Sequence, residues 1–194
     1  MLSDKDLDLI FREARSFSTW SDRKVSEVTL QAIYDLMRWG PTSANCSPAR
    51  LVFLASDEAR ERIKPHLSPG NMDKVMTAPV TAIIASDSKF YDRIPELLPH
   101  NPDAREWFSG DEKLAAETAF RNSTLQGGYF IIAARALGLD CGPMSGFNPD
   151  GVNAEFFPEG QVKANFICAL GYGKPEDLFP RSPRLGFDDA CQIL

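Results

Sequence analysis

Three short apolar runs, separated by helical patterns, constrain the fold of this chain more than any other feature. They cover residues 51–55, 80–85 and 164–170, and the middle run is apolar at nearly every position. The middle run, without alternation, predicts a strand that is buried on both faces of its sheet. Because strands alternate with helices and the connections vary in length, the sequence predicts an α+β or mixed α/β fold with a helix-covered sheet.

A stiff polar loop lies directly before the first run, at residues 41–48. Its two prolines fix φ and remove two backbone donors. The loop also carries four side chains that form hydrogen bonds: Thr42, Ser43, Asn45 and Ser47. Such a loop suits a phosphate or a polar planar ligand, and a solvated connection would have the same composition.

The helix that leads into this loop has the clearest signals in the chain. Ser26 is a favourable N-cap, and Gly40 followed by Pro41 is expected to end the helix. Its predicted apolar face consists of Leu30, Ile33, Tyr34 and Met37.

Residues 111–137 predict one long helix, or two helices broken near Gly127 and Gly128. The second half is apolar almost all round, which is typical of a helix buried on several sides. The two glycines would let another backbone approach closely, including one from a second subunit. The preceding residues 86–110 are rich in aromatics and prolines, and they favour either a lid over a site or a surface flap packed by its own side chains.

Composition excludes several classes of protein. The net charge of −6 and the pI near 5.0 argue against nucleic acid as a partner, because phosphate binding requires a basic face. No apolar run approaches the roughly 20 residues that span a bilayer, so no membrane partner is expected. The acidic start does not resemble an export signal. We therefore expect one cytoplasmic domain over residues 1–194, with its four cysteines as free thiols.

The motifs of several common active sites are missing. His66 and His100 have no partners at zinc-ligand spacing, and no Gly-x-Ser-x-Gly elbow occurs. The segment 171–175, Gly-Tyr-Gly-Lys-Pro, has neither the third glycine of a dinucleotide fingerprint nor the residue that follows lysine in a Walker A loop. Chemistry in this chain would therefore need an organic cofactor.

Three cations lie in segments with little regular structure, namely Arg15, Lys74 and Arg184. The turn at residues 142–146 contains two glycines and a serine, and backbone amides in such a turn can point at an electron-rich atom. Together with the loop at 41–48, these segments indicate one polar ligand with an anionic end. A phosphate-bearing cofactor meets that description.

Several of these segments resemble motifs of the nitroreductase family of FMN-dependent oxidoreductases. The matching segments are Trp39–Phe53, Asn71-x-x-Lys74 ahead of Ala78-Pro79, Ala136–Leu139 with Gly142 to Gly146, Gly171-Tyr-Gly173, and Pro183-Arg184. They follow the family order over nearly the whole chain. Fuller matches at residues 40–50, 117–122 and 142–147 resemble the malonic semialdehyde reductase (RutE/HadB) branch.

The resemblance implies a nitroreductase-like α+β fold with a central mixed or antiparallel sheet covered by helices, in a domain-intertwined homodimer. FMN would bind between the subunits, and NADPH or NADH would be the hydride donor. Hydride would pass through flavin N5 to malonic semialdehyde, giving 3-hydroxypropionate, or to a nitro or quinone acceptor in a broad-specificity reductase. A flavin-binding protein without turnover and a structural domain without flavin are the remaining alternatives.

The resemblance also implies roles for individual residues. The phosphate would be bound by Arg15, Ser16 and Arg184, and the ribityl chain or ring would contact Ser43 and Asn45. The pyrimidine edge of the flavin would contact Asn71 and Lys74, and the fixed cation of Lys74 would stabilise negative charge on the ring. The N5/O4 side of the flavin would contact the backbone of Pro143, Met144, Ser145 and Gly146.

One departure from the family pattern concerns the phosphate. Many members carry Arg-x-Ser-x-Arg or Lys where this chain has Ala14, Ser16 and Ser18, with Arg15 between them. Either the arginine is displaced by one position, or phosphate binding depends more on Arg184. For the carboxylate of the acceptor, Arg50, Arg121 or a cation of the 86–110 segment is available.

Overall fold

The computed structural model describes all 194 residues and contains one four-stranded sheet. The strands are β1 (Ala49–Leu54), β2 (Val80–Asp87), β3 (Asp140–Met144) and β4 (Val162–Gly171). Their order across the sheet is β1-β2-β4-β3, and every pairing is antiparallel. The α+β prediction is therefore confirmed, with the antiparallel form of the sheet. The three apolar runs correspond to β1, β2 and β4.

Nine helices surround this sheet. They are α1 (Asp4–Leu7, continued by a π-helical turn at Asp8–Arg12), α2 (Glu27–Met37), α3 (Asp57–Ile63), α4 (Met72–Met76), α5 (Ile94–Leu97), α6 (Glu106–Ser109), α7 (Glu112–Ala136), α8 (Pro149–Phe156) and α9 (Phe187–Ala190). No helix combines the length and apolar character needed to cross a membrane.

Helix α2 begins where its capping signal predicts. The side chain of Ser26 accepts a hydrogen bond from the Thr29 N–H at 3.1 Å. Three of the four predicted core residues are buried, namely Leu30, Ile33 and Met37. The prediction for Tyr34 was wrong, because this side chain remains 47% exposed.

Helix α7 is continuous, so the alternative of a break near Gly127 and Gly128 was wrong. The two glycines face different surroundings. A Cβ at Gly127 would lie 2.5 Å from the ring of Phe166 on β4, whereas a Cβ at Gly128 would meet no atom within 4 Å. Within the chain, the close neighbour of this glycine pair is therefore an aromatic ring rather than another backbone.

The sheet separates two apolar cores. On one face, α2 and α7 cover Val80, Ala82 and Ile84, which alternate along β2. On the other face, α3, α4 and α8 cover Ile83 together with Ile167 of β4. The central strand β2 is buried on both faces, as the lack of alternation in the second run predicts, whereas in β4 only the second half, residues 167–171, is fully buried.

A third, smaller cluster is formed by the segment 86–110. Phe90, Ile94 and Ala104 are fully buried there, and they pack against Cys46 and the start of α7. The segment is therefore packed by its own side chains, as the flap alternative expects, and this packing does not test the lid alternative.

Candidate functional site

The N-terminal segment runs beside β3 and is held against it by backbone contacts. Ser16 forms a parallel bridge with Cys141, and the Phe17 N–H donates to the Cys141 carbonyl at 3.0 Å. Only glycine fits at Gly142, because a Cβ there would overlap the Phe17 carbonyl oxygen and lie 3.3 Å from the Trp20 ring. Residues 15–17 are thus fixed along the outer edge of β3.

The C-terminal segment closes over the same region through reciprocal hydrogen bonds. The Arg15 Nη2 donates to the Phe179 carbonyl at 2.5 Å, and the Arg181 Nη2 donates to the Ala14 carbonyl at 2.8 Å. Between the two segments lies a cavity of about 270 Å³. Its polar lining consists of Arg15, Ser16, Ser18, Arg135, Asp177, Arg181, Ser182 and Arg184. We call it the arginine pocket.

The arginine pocket collects all arginines of the chain that lack a carboxylate or aromatic partner. Seven of the thirteen arginines form ion pairs with Asp or Glu, namely Arg12, Arg50, Arg60, Arg62, Arg93, Arg105 and Arg121. Two more, Arg23 and Arg38, lie over aromatic rings. The other four are those of the pocket. This site therefore holds four positive charges against one lining carboxylate, that of Asp177, which forms no ion pair.

A second group of predicted residues lies around the carboxyl end of β3. The Asn71 Nδ2 donates to the Gly146 carbonyl at 2.9 Å, which ties the start of α4 to the turn after β3. Lys74 follows one turn later and has no ion-pair partner, and its Cδ lies 3.4 Å from the position of a Cβ on Gly142. Its backbone is fixed, because the Trp20 Nε1–H donates to the Lys74 carbonyl at 3.0 Å.

The turn after β3 offers free donors beside these side chains. The Ser145 and Gly146 N–H groups form no hydrogen bond within the chain, whereas the Gly146 carbonyl accepts from both Asn71 and Ser68. Pro143 and Met144 complete the end of the strand. The structure thus brings Arg15, Ser16, Asn71, Lys74, Arg184 and residues 143–146 to one edge of the sheet.

Ser43 and Asn45 lie elsewhere in the chain. Their loop precedes β1, and β1 and β3 are the opposite edges of the four-stranded sheet. Three residues of the loop have positive φ, namely Ala44, Asn45 and Ser47. A single copy of the chain therefore does not bring Ser43 and Asn45 together with the residues at the β3 edge.

Two buried amides of α7 hold this loop in its unusual conformation. The Asn122 side-chain oxygen accepts from the Ser43 N–H, and the Gln126 side-chain oxygen accepts from the Ala49 N–H, both at 2.9 Å. The Asn45 Nδ2 donates to the Leu97 carbonyl at 2.7 Å. Backbone strain at positive φ persists only where the surroundings impose it, and these bonds supply that constraint.

Two of the candidates for an acceptor carboxylate, Arg50 and Arg121, have internal partners. Arg50 pairs with the nearly buried Asp87 at 2.6 Å, and Arg121 pairs with Glu117 on the same helix. Asp87 also accepts from the Gln161 side chain and the Lys89 N–H, so its carboxylate is fully satisfied. Arg50 therefore has a structural role in fixing the start of β1 to the end of β2.

Buried ionisable groups lie close to both regions. Burial raises the pKa of the Cys46 thiol to about 11, which keeps it protonated beside the polar loop. Burial also raises the pKa of Asp140, against the opposing effects of a hydrogen bond from the Gly173 N–H and the positive charge of Arg135. No three His, Cys, Asp or Glu side chains lie close enough together to form a candidate metal site.

The sequence did not assign Arg135 to a site. It is the one charged residue in the otherwise apolar end of α7, residues 129–137, where the pattern predicts a buried helix. A lone charge in such a stretch was the available signal. Arg181 was seen as a cation in an extended segment, but its bond to the Ala14 carbonyl depends on contacts between distant parts of the chain.

Comparison with known proteins identifies relatives over the full length of the chain. The model of the nitroreductase family matches residues 11–174. A protein of Cupriavidus pinatubonensis is 56% identical over all of both chains, and its provisional name is NADH dehydrogenase/NAD(P)H nitroreductase. A protein of Ralstonia pickettii with the same provisional name, HadB, is 55% identical, again over all of both chains.

Solved structures agree with the fold. A nitroreductase-like protein of Exiguobacterium sibiricum, crystallised in complex with FMN, aligns with a TM-score of 0.87 and 18% identity, covering 100% of this chain and 99% of that one. A Bacillus subtilis protein aligns with the same score over 99% of this chain and 100% of its own. At this identity the likeness concerns the fold alone.

Proposed function

The chain belongs to the nitroreductase family, and from this premise we propose that it is an FMN-dependent NAD(P)H oxidoreductase that reduces a small aldehyde acid, with malonic semialdehyde as the acceptor. The arginine pocket is the main observation that supports FMN as the cofactor. Four guanidinium groups without a carboxylate or aromatic partner, beside the Ser16 hydroxyl, fit a phosphomonoester dianion. We assign Arg15, Ser16 and Arg184 to the phosphate.

The flavin ring is assigned to the neighbouring group at the end of β3. Lys74 has no counter-ion, and its backbone is fixed through Trp20, so it can hold a positive charge beside the pyrimidine edge. One N–H of the Asn71 amide donates to the Gly146 carbonyl, and the side-chain oxygen is free to accept a hydrogen bond from the flavin ring. The free N–H groups of Ser145 and Gly146 suit the N5/O4 side, with Pro143 and Met144 shaping the wall. Bound FMN supplies hydride transfer at N5, so no protein nucleophile is needed.

The site requires two copies of the chain under this proposal. Ser43 and Asn45 lie at the β1 edge and the remaining residues at the β3 edge, so one cofactor can meet both sets only between subunits. Large apolar side chains are exposed on α2 and α7, as an interface requires: Val28, Leu36, Leu125 and Tyr129. The C-terminal residues from 181 onward are exposed as well, which suits the exchange of a segment in an intertwined homodimer.

Malonic semialdehyde is proposed from the motifs at residues 40–50, 117–122 and 142–147, which resemble the branch that reduces it. A broad nitro or quinone reductase is the second candidate, favoured by the names of the two relatives. NADPH and NADH are both retained as donors. We place the protein in the cytoplasm, where its four free cysteines would stay reduced.

The visible spectrum of the purified protein tests the core of the proposal. We expect flavin absorbance that NADPH or NADH bleaches anaerobically and that the acceptor restores. Recovery with malonic semialdehyde much faster than with a nitroaromatic or a quinone supports the aldehyde reductase, and the reverse order supports the second candidate. A colourless protein that takes up no added FMN refutes the cofactor assignment. Bound flavin that neither nucleotide bleaches indicates a flavin-binding protein without turnover.

A mixed dimer tests the two-copy site. One chain would carry Lys74→Ala and a differently tagged chain Asn45→Ala, and each variant alone should have low activity. If each site combines Lys74 of one copy with Asn45 of the other, the mixed dimer contains one site with both residues intact and regains about half of the wild-type activity. If both residues serve a site within one chain, every site in the mixed dimer has a lesion and no activity returns.

A further inference from the structure

Arg135 reaches the arginine pocket from the last turn of α7. The side chain lines the cavity together with Arg15, Ser16 and Arg184. One of its terminal nitrogens, Nη1, donates to the Ile10 carbonyl at 3.2 Å, which sets the direction of the guanidinium. This position differs from that of the other three pocket arginines, because they lie on irregular segments and Arg135 lies on a 25-residue helix.

The hydrogen bonding of Arg135 is incomplete in the protein alone. Its Nε is buried and has no partner, and no carboxylate lies within ion-pair distance. Arg60 is the other arginine with a buried, unpartnered Nε, but its guanidinium pairs with Asp57. The C-terminal end of α7 contributes only a partial negative charge, equivalent to about half an electron. Asp140 interacts electrostatically with Arg135 but forms no ion pair with it, so the buried Nε–H remains a donor without an acceptor, and a bound anion would supply one.

The other arginines of the pocket have part of their hydrogen-bonding capacity committed to the backbone. Arg15 and Arg181 each use Nη2 to join the N-terminal and C-terminal segments, and Arg184 donates Nη1 to carbonyls of its own segment. A phosphate group carries about −1.5 to −2 charges and three acceptor oxygens. Arg135 likewise commits one terminal nitrogen, so what distinguishes it is its mounting on a long helix and its buried Nε without a partner, which together suit a preorganised anion contact.

We propose that Arg135 is a phosphate-binding residue, a contact that the family resemblance did not assign. Its guanidinium donates to the phosphate of a phosphomonoester, which is the FMN phosphate if the proposed function holds. The role is to anchor the cofactor from the helix while Arg15 and Arg184 close over it from the two chain segments. The alternative is that Arg135 only caps the end of α7 and fixes the Ile10 carbonyl.

A comparison of FMN with riboflavin separates these roles, since the two ligands differ only in the phosphate. The dissociation constants of both would be measured by flavin fluorescence with the full-length apoprotein, for the wild type, Arg135→Met, Arg135→Lys and the control Arg62→Met. Arg62 is ion-paired with Glu155 away from the pocket. We expect Arg135→Met to weaken FMN about 10- to 100-fold, the range of a charge-assisted hydrogen bond, and to leave riboflavin and the control unchanged.

Arg135→Lys keeps a positive charge at the end of α7, so it retains the capping role and should fold if the methionine variant does not. It should still weaken FMN relative to riboflavin, because an ammonium cannot reproduce the planar fork of donors. An equal loss for both flavins, or no loss for either, in a folded variant would overturn the inference.

Inorganic phosphate distinguishes failure of this inference from failure of the proposed function. Binding of phosphate alone would be measured by calorimetry on the same four proteins. If the wild type takes no FMN but binds phosphate in a manner that depends on Arg135, the proposed function fails and the phosphate contact stands. If the wild type binds FMN but the loss at Arg135 is not specific to the phosphate, the inference fails and the function stands. Binding of neither ligand would refute both.

Discussion

Gly142→Ala tests how tightly the N-terminal segment must fit against β3. A Cβ at this position would overlap the Phe17 carbonyl oxygen at a separation below 3.0 Å, which real Cβ atoms essentially never show. The Trp20 ring at 3.3 Å and the Lys74 Cδ at 3.4 Å leave little room on the other sides. Because the overlapping atom belongs to the backbone, relief requires residues 15–17 to move away from the strand.

The expected cost has two parts. Overpacking at a rigid site costs about 1–3 kcal/mol. Displacement of the segment also weakens the hydrogen bond from the Phe17 N–H to the Cys141 carbonyl, which contributes about 0.5–1.5 kcal/mol. We therefore expect the free energy of unfolding to fall by about 1.5–4.5 kcal/mol. The affinity for FMN should fall at least about tenfold, since Arg15 moves relative to Arg184 and one charge-assisted contact is lost.

Urea denaturation followed by tryptophan fluorescence measures the first quantity, and flavin fluorescence titration measures the second. Gly110→Ala is the matched control, because a Cβ at Gly110 would meet no atom within 4 Å and its φ of −97° suits alanine. A Gly142→Ala protein that unfolds at the wild-type midpoint and binds FMN with wild-type affinity would refute the close packing of this segment.

Three further outcomes follow from buried groups. Gln126→Leu should lower the free energy of unfolding by about 1–3 kcal/mol, because the Ala49 N–H loses its only acceptor; urea denaturation measures this. Iodoacetamide at pH 8 should label the exposed Cys191 and leave Cys46 unmodified in mass spectra, since a thiol with a pKa of about 11 is about one-thousandth ionised at that pH. The raised pKa of Asp140 means that the folded state holds this proton more tightly than the unfolded state. Its stabilising contribution is complete below the ordinary pKa of 3.8 and is lost as the pH rises through the raised value. The difference in the free energy of unfolding, wild type minus Asp140→Asn, should therefore fall as the pH rises over this range.

Each of these outcomes has a control. Gln31→Leu on the exposed side of α2 should leave stability nearly unchanged, and an equal loss in both glutamine variants would contradict the role of the buried amide. Cys191→Ser should abolish labelling, and modification of Cys46 in that folded protein would contradict its burial. A stability difference between wild type and Asp140→Asn that stays constant with pH would contradict the raised pKa.

Features that depend on neighbours within about four residues could be predicted from the sequence. Ser26 caps α2 because its hydroxyl reaches an N–H three residues later, whatever the rest of the chain does. The nearly uniform apolar character of residues 80–85 predicts a strand covered on both faces, and β2 is such a strand. The family resemblance also rests on local motifs, which is why it anticipated the fold.

Side-chain surroundings that depend on distant segments could not be predicted. The sequence treats Gly127 and Gly128 alike, but the approach of Phe166 from β4 makes only the first one crowded. Tyr34 has the spacing of a core residue and still remains exposed. The periodicity of a helix predicts which side faces the core, but it does not predict how much of that side the core covers. The same limit hid Arg135, whose proposed role depends on the N-terminal segment more than a hundred residues away and on the C-terminal segment.

The sequence by itself determined the kinds of residues that could hold an anionic, planar ligand and the local elements that carry them. Only the tertiary structure decided where they lie, because the strand order β1-β2-β4-β3 is set by long-range pairing and core packing. That order puts Ser43 and Asn45 at one edge of the sheet and Lys74 with the arginine pocket at the other. Local propensities extend over a few residues, whereas the separation of these edges is a property of the whole sheet.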